Sequence, residues 1–166
     1  MFVLGIDPGL SRCGYGCVEA RPDGPRAVAI GVITTPASEP LPQRLAELQA
    51  ELRALLVELE PQAVAIERVF FQNNVRTAMS VGQASGLAMA EAVAAGCEVV
   101  QYTPNQVKEA VAGHGAADRE MVQPMVQTLL RLPAPPRPAD AADAAALALC
   151  HLAYEPTRRA VARVAP

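Results

Sequence analysis

Apolar residues crowd the N-terminus on both parities. Phe2, Val3, Leu4, Gly5 and Ile6 run without a polar break into Asp7, and Pro8 and Gly9 then turn the chain. Such a run predicts a central strand covered on both faces, with Asp7 at the rim of the sheet. By itself Asp7-Pro8-Gly9 reads as a turn, since all three are turn formers. Residues 15–20 predict a second strand, Arg21-Pro22-Asp23-Gly24-Pro25 a turn, and residues 27–34 a third strand. Three strands with short links predict an antiparallel meander. Leu41, Leu45, Leu48, Leu52, Leu55 and Leu59 step by three and four, which predicts an amphipathic helix that Pro61 ends. Residues 62–67 form a short apolar strand that again finishes on a carboxylate, Glu67, and the strand–helix–strand order suggests a parallel crossover.

A loop at residues 69–74 offers Asn73 or Asn74 as the cap of a helix over about residues 75–95. In that helix Ala78, Gly82, Gly86, Ala90 and Ala94 make a row of small residues at spacing four. The row suits close approach of another helix, or packing on the chain's own sheet. Residues 98–102 predict a fifth strand. Thr103 caps a helix with Pro104 in its first turn, and Asp118 caps another, in which Pro124 removes one hydrogen bond. The last helix is expected over residues 139–154, followed by a mobile basic tail. The expectation is thus an α/β domain over residues 1–155, with a five-stranded mixed sheet whose first three strands are antiparallel, flanked by helices, and a tail over residues 156–166.

Composition narrows the class. The chain has 166 residues, 51% of them hydrophobic and 19% charged, enough for one full core. No run approaches a membrane span and no secretory leader is visible, so a cytoplasmic protein without membrane contact is the expectation. Cys13, Cys17, Cys97 and Cys150 are scattered, with two histidines in the chain, which argues against structural zinc. A net charge of −3 counts against a nucleic-acid partner.

The acids change that picture. Side chains alternate along a strand, so Asp7 shares a face with Gly5, and Glu67 with Ala65 and Ala63. If the two strands are neighbours, both acids look onto one hollow lined by small residues. Asp140 and Asp143 open the last helix three residues apart, on a stripe continued by Leu147, Cys150 and Tyr154. Each acid alone has a plain reading: helix capping for Asp140 and Asp143, a surface strand end for Glu67. Four carboxylates facing one hollow would repel, and no histidine or lysine offers itself nearby. A hard divalent cation is the natural counter-charge, magnesium or manganese for an all-oxygen set. A pair of such ions clamps the two oxygens of a phosphodiester displacement.

The segments Ile6-Asp7-Pro8-Gly9, Ile66-Glu67-Arg68-Val69-Phe70, Gln106-Val107-Lys108 and Asp140-Ala141-Ala142-Asp143-Ala144 resemble, in order and spacing, those of the RuvC family of Holliday-junction resolvases. The likeness covers nearly all of residues 1–155. It implies an RNase H-like fold, a homodimer, and magnesium-dependent hydrolysis of two symmetric strands of a four-way DNA junction. It also implies two Mg2+ per site, with manganese able to substitute, and partnership with the RuvA–RuvB branch-migration machinery. Asp7, Glu67, Asp140 and Asp143 match the family's metal-binding acids; some members carry histidine where this chain has Asp140. Phe70 matches an aromatic that contacts unpaired bases, and Lys108 a basic residue near the site. Arg119 stands where lysine is common, a planar fork in place of a point charge. Arg76 is a further candidate DNA contact. Two bound dications would move the formal charge from −3 to +1, leaving Arg68, Arg76, Lys108, Arg119 and Arg137 to form a local basic groove. Three other readings stand beside this one. They are a phosphate-binding lobe of the actin or sugar-kinase kind, a relative acting on structured RNA, and a non-catalytic junction binder.

Overall fold

The computed structural model describes residues 1–68, 75–116 and 118–164, without the side chains of residues 75–77, 119, 159 and 161–164. Five strands form one sheet in the order β3-β2-β1-β4-β5. These are β1 (Phe2–Asp7), β2 (Arg12–Glu19), β3 (Arg26–Thr34), β4 (Ala63–Glu67) and β5 (Glu98–Tyr102). β1, β2 and β3 pair antiparallel, whereas β4 runs parallel to both β1 and β5. The expected mixed sheet is therefore present, and β1 and β4 are neighbours. β2 begins at Arg12 rather than at residue 15, because Asp7 and Ile33 supply pairing partners for Gly14 and Cys13, which carry little strand signal themselves.

Helices cover both faces. On one face, α1 (Leu41–Leu59) and α2 (Val75–Ala94) pack on Leu4, Ile6, Val64 and Ile66, all fully buried. α1 buries Leu48, Leu52 and Leu56 and ends where Glu60 turns left-handed at φ 43°. Leu41, at the head of the leucine series, stays outside the core, 42% exposed. α2 buries Ala84, Ala88 and Ala92, so the row Gly82, Gly86, Ala90 and Ala94 points away from the sheet. Of the two readings of that row, packing on the chain's own sheet is overturned. A Cβ built on Gly82 or Gly86 meets nothing within 4 Å.

On the other face lie α3 (Pro104–Ala112), α4 (Arg119–Leu129) and α5 (Ala139–Val164). Thr103 closes a capping box with Gln106 at the head of α3, and Asp118 accepts from the Met121 amide at the head of α4. α5 does not end at Tyr154 as expected but continues to Val164. Pro156 removes one amide donor from it. The helix persists because Arg158 ties its extension down, pairing with Glu155 at 3.5 Å and with Glu98 at the start of β5. Among the described residues no helix is long and apolar enough to cross a membrane.

Candidate active site

Register brings the strand acids together. Ile6 pairs with Ile66 in the parallel β1–β4 ladder, so Asp7 and Glu67 follow side by side at the same edge of the sheet. Both side chains are half-buried there. Asp7 also stands opposite Gly14 of β2. α5 crosses this edge at backbone contact. A Cβ on Gly14 would lie 2.0 Å from the Asp140 carbonyl oxygen, one on Gly5 1.9 Å from that of Ala144, and one on Gly16 2.7 Å from the Ala145 Cα. Only glycine leaves room for the helix at these three positions. The glycines thus fix where the first turn of α5, and with it Asp140 and Asp143, sits above Asp7.

The small residues do not leave the hollow the sequence suggested. The space over Gly5 is filled by α5 itself, whose contact row is Ala141, Ala144, Ala145 and Ala148, all fully buried. The hollow lies to one side, about 100 Å³, where Glu67, Asp143 and Lys108 meet Val107, Val122 and Leu147. Residues three apart on a helix diverge by about 60° around its axis. Asp143 therefore turns toward β4 and α3, and Asp140 toward β1 and β2. Asp143 Oδ2 is fully buried. The Cys13 thiol is pushed up to about 11, chiefly by burial and in smaller part by the charges of Asp7 and Asp140.

One expectation fails: a lysine does stand by the acids, since Lys108 lines the same hollow as Glu67 and Asp143. Asp140 has an arginine beside it, with Arg12 Nε 3.5 Å from Asp140 Oδ2. Nothing in the spacing of the chain pairs the two, since the contact exists only once α5 lies on β2. A further set of residues, also missed, braces the turn after Asp7. The Thr35 hydroxyl donates to the Leu10 carbonyl at 2.6 Å, and Arg44 of α1 donates to Thr35 Oγ1 at 3.0 Å and to Ser11 Oγ at 2.6 Å. A Cβ on Gly9 would lie 2.1 Å from the Arg12 carbonyl oxygen, so this turn closes tightly on the start of β2. Ser11 is thus engaged in bracing. Arg68 and Arg137 are exposed, and Lys108 is half-buried. Phe70, with the rest of the 69–74 loop including Asn73 and Asn74, lies outside the described residues, as do the side chains of Arg76 and Arg119.

The comparisons with known proteins point one way. Residues 3–151 match the family model described as crossover junction endodeoxyribonuclease RuvC. A relative of that name from Salinispora arenicola is 52% identical over 166 residues, covering 99% of this chain and 95% of the relative. A solved structure of Thermus thermophilus RuvC in complex with Holliday junction substrate superposes with a TM-score of 0.90 at 39% identity, covering 95% of this chain and 96% of that one. The yeast mitochondrial Holliday junction resolvase Ydc2, at 15% identity and a TM-score of 0.67 over 95% of this chain and 82% of that one, shares the fold.

Proposed function

Since the chain belongs to the crossover junction endodeoxyribonuclease RuvC family, we propose that it is a structure-selective endonuclease that resolves Holliday junctions by two symmetric phosphodiester hydrolyses, in DNA recombination and repair. The observation that carries the chemistry is the meeting of Asp7 and Glu67 at the ends of adjacent parallel strands, beneath the first turn of α5. Asp7, Glu67, Asp140 and Asp143 are the catalytic acids in this reading.

The donor set fits a hard divalent cation. It is all carboxylate oxygen, it includes a fully buried Oδ2 on Asp143, and its backbone supports are rigid strands and a helix pinned by glycine contacts. We assign magnesium, two ions per site, with manganese able to replace it. Bound there, the ions would neutralise the phosphate under attack and acidify the attacking water. The chain's own residues do the rest. Asp7 and Glu67 hold their carboxylates at the ends of two directly paired parallel strands. Lys108, on the wall shared with Glu67 and Asp143, adds positive charge where a phosphate must approach. Phe70, Arg76 and Arg119 are assigned to DNA on the family resemblance, Phe70 by stacking on an unpaired base, worth about 1–3 kcal/mol.

Two cuts on a two-fold substrate call for two sites related by the same symmetry, hence a homodimer. The outward row of α2 supports that assignment, with Met79 60% and Val93 64% exposed beside the open Gly82 and Gly86. Partnership with RuvA–RuvB, and a place in the cytoplasm with the DNA, follow from the family resemblance. The test is incubation of the protein with a synthetic immobile four-way junction and magnesium, against a linear duplex. Symmetric nicks in opposing strands of the junction alone are expected. Asp7→Asn should abolish cutting and retain junction binding in a gel shift. Normal cutting by Asp7→Asn would overturn the catalytic assignment.

A further inference from the structure

Arg12 stands at the entrance to β2, its side chain 62% exposed and its Nε 3.5 Å from Asp140 Oδ2, while the Asp140 side chain is only 24% exposed. The guanidinium is therefore the more exposed member of the pair, open to solvent beside the acid. Its backbone is braced. The carbonyl of Arg12 abuts Gly9, and the turn between them is held by Thr35 and Arg44. Asp140 is equally fixed, its carbonyl seated on Gly14. A cation carried by one rigid element thus faces an anion carried by another. A guanidinium keeps its charge at every physiological pH and has five donors in a planar fork.

We propose that Arg12 is a positioning residue for Asp140: it serves as the counter-charge of that carboxylate before a divalent cation binds, and gives it up to contact the phosphate of the strand to be cut. The proposal rests on the assignment of Asp140 to the metal-binding acids. Arg12 and the dication then compete for the same oxygen, and the contest couples the two ligands. Loading the site with cation releases a fork-shaped donor toward DNA, and phosphate on that fork weakens its hold on Asp140. An exposed ion pair of this kind is weak, so the competition is mild and the exchange easy. A guanidinium engaging a phosphate is the stronger contact of the two.

The effects of removing Arg12 have opposite signs for the two ligands, which no purely structural role produces. Mn2+ binding without DNA, followed by water-proton relaxation, should tighten about threefold in Arg12→Ala. On the junction, KM should rise about tenfold, more than kcat falls, and the salt dependence of junction binding should lose about one unit of slope. Arg12→Lys keeps the charge without the fork, and should restore the salt slope while leaving part of the KM defect. Arg12 is exposed, and an unchanged melting temperature checks that the variants fold. Unchanged or weaker Mn2+ binding in Arg12→Ala would overturn the counter-charge role, and an unchanged KM and salt slope would overturn the phosphate contact. Wild-type protein that neither binds Mn2+ nor cuts the junction would instead sink the nuclease reading itself.

Discussion

The two faces of the sheet bury the same strands by different means. Toward α1 and α2 the strands present Leu4, Ile6, Val64 and Ile66, met by Leu48, Leu52 and Leu56. Toward α5 they present Gly5, Gly14 and Gly16, met by the helix backbone and its alanines, within a face that Val3, Val18, Tyr102 and Leu147 also fill. Large interdigitating side chains bury more area and can repack around a defect. Backbone contact buries less, but it has no rotamers to give and so leaves the helix little room to shift. The acids sit on the second kind of contact. Both faces carry a buried core, and the second in addition holds the helix that bears Asp140 and Asp143 at backbone contact.

The most damaging test of that division is a single methyl group on the precise face. Gly14→Ala puts a Cβ 2.0 Å from the Asp140 carbonyl oxygen, which neither strand nor helix can absorb in place. The first turn of α5 must lift, carrying Asp140 and Asp143 away from Asp7 and Glu67. Misplacement by about 1 Å costs on the order of a hundredfold in rate, while overpacking costs about 1–3 kcal/mol of stability. Junction cleavage and urea denaturation of the same sample measure both. Retention of full activity by Gly14→Ala would show that α5 does not hold the acids in place.

The converse variant lies on the other face. Leu52→Ala removes a fully buried side chain from the α1 contact and should cost about 2–5 kcal/mol. Cleavage per folded molecule, measured well below the melting temperature, should stay near wild type. Equal losses of stability and of kcat in this variant would mean that the faces are not separable, and that any disturbance of the core reaches the acids.

This division was only half legible in the chain. Strands ending in acids stand out because an unbroken apolar run closing on Asp7 or Glu67 needs no tertiary context to be noticed. The leucine series of α1 is legible for the same reason, since side-chain pattern mirrors burial. Gly5 in the sequence suggests an empty space, because absence of a side chain looks like a cavity until the element that fills it is known. The filler is the backbone of α5, which leaves no mark on the sequence. Arg12 is silent in the sequence for a related reason: its partner Asp140 is set by how α5 lies on β2, and no local spacing encodes that. The end of α5 was misjudged because Pro156 and three arginines look like a terminus, whereas Glu98, on a distant strand, supplies the anchor for Arg158.

The mildest test uses Glu91, a charged group buried between α1 and α2. Glu91 is 7% exposed and takes two hydrogen bonds from Arg53, at 2.9 and 2.8 Å, and one from Gln49 at 2.5 Å. The Arg53 hydrogen bond above all, then that of Gln49, holds the Glu91 carboxyl below the usual carboxylate range. On acidification the unfolded chain therefore takes up this proton first. The contribution of Glu91 to stability is fully present above its ordinary titration range and drains away as pH falls through the lowered folded value. Glu91→Gln lacks it at every pH. The urea midpoint of the variant should fall below that of wild type at neutral pH, and the gap should narrow by about pH 3. The effect is small because Arg53 is largely exposed and its charge is screened. Cleavage at neutral pH should be unchanged, since the pair lies across the sheet from the acids. A gap that widens with acid would reverse the assigned sign. Lost cleavage with retained fold would break the separation of the two faces where it is expected to be most complete.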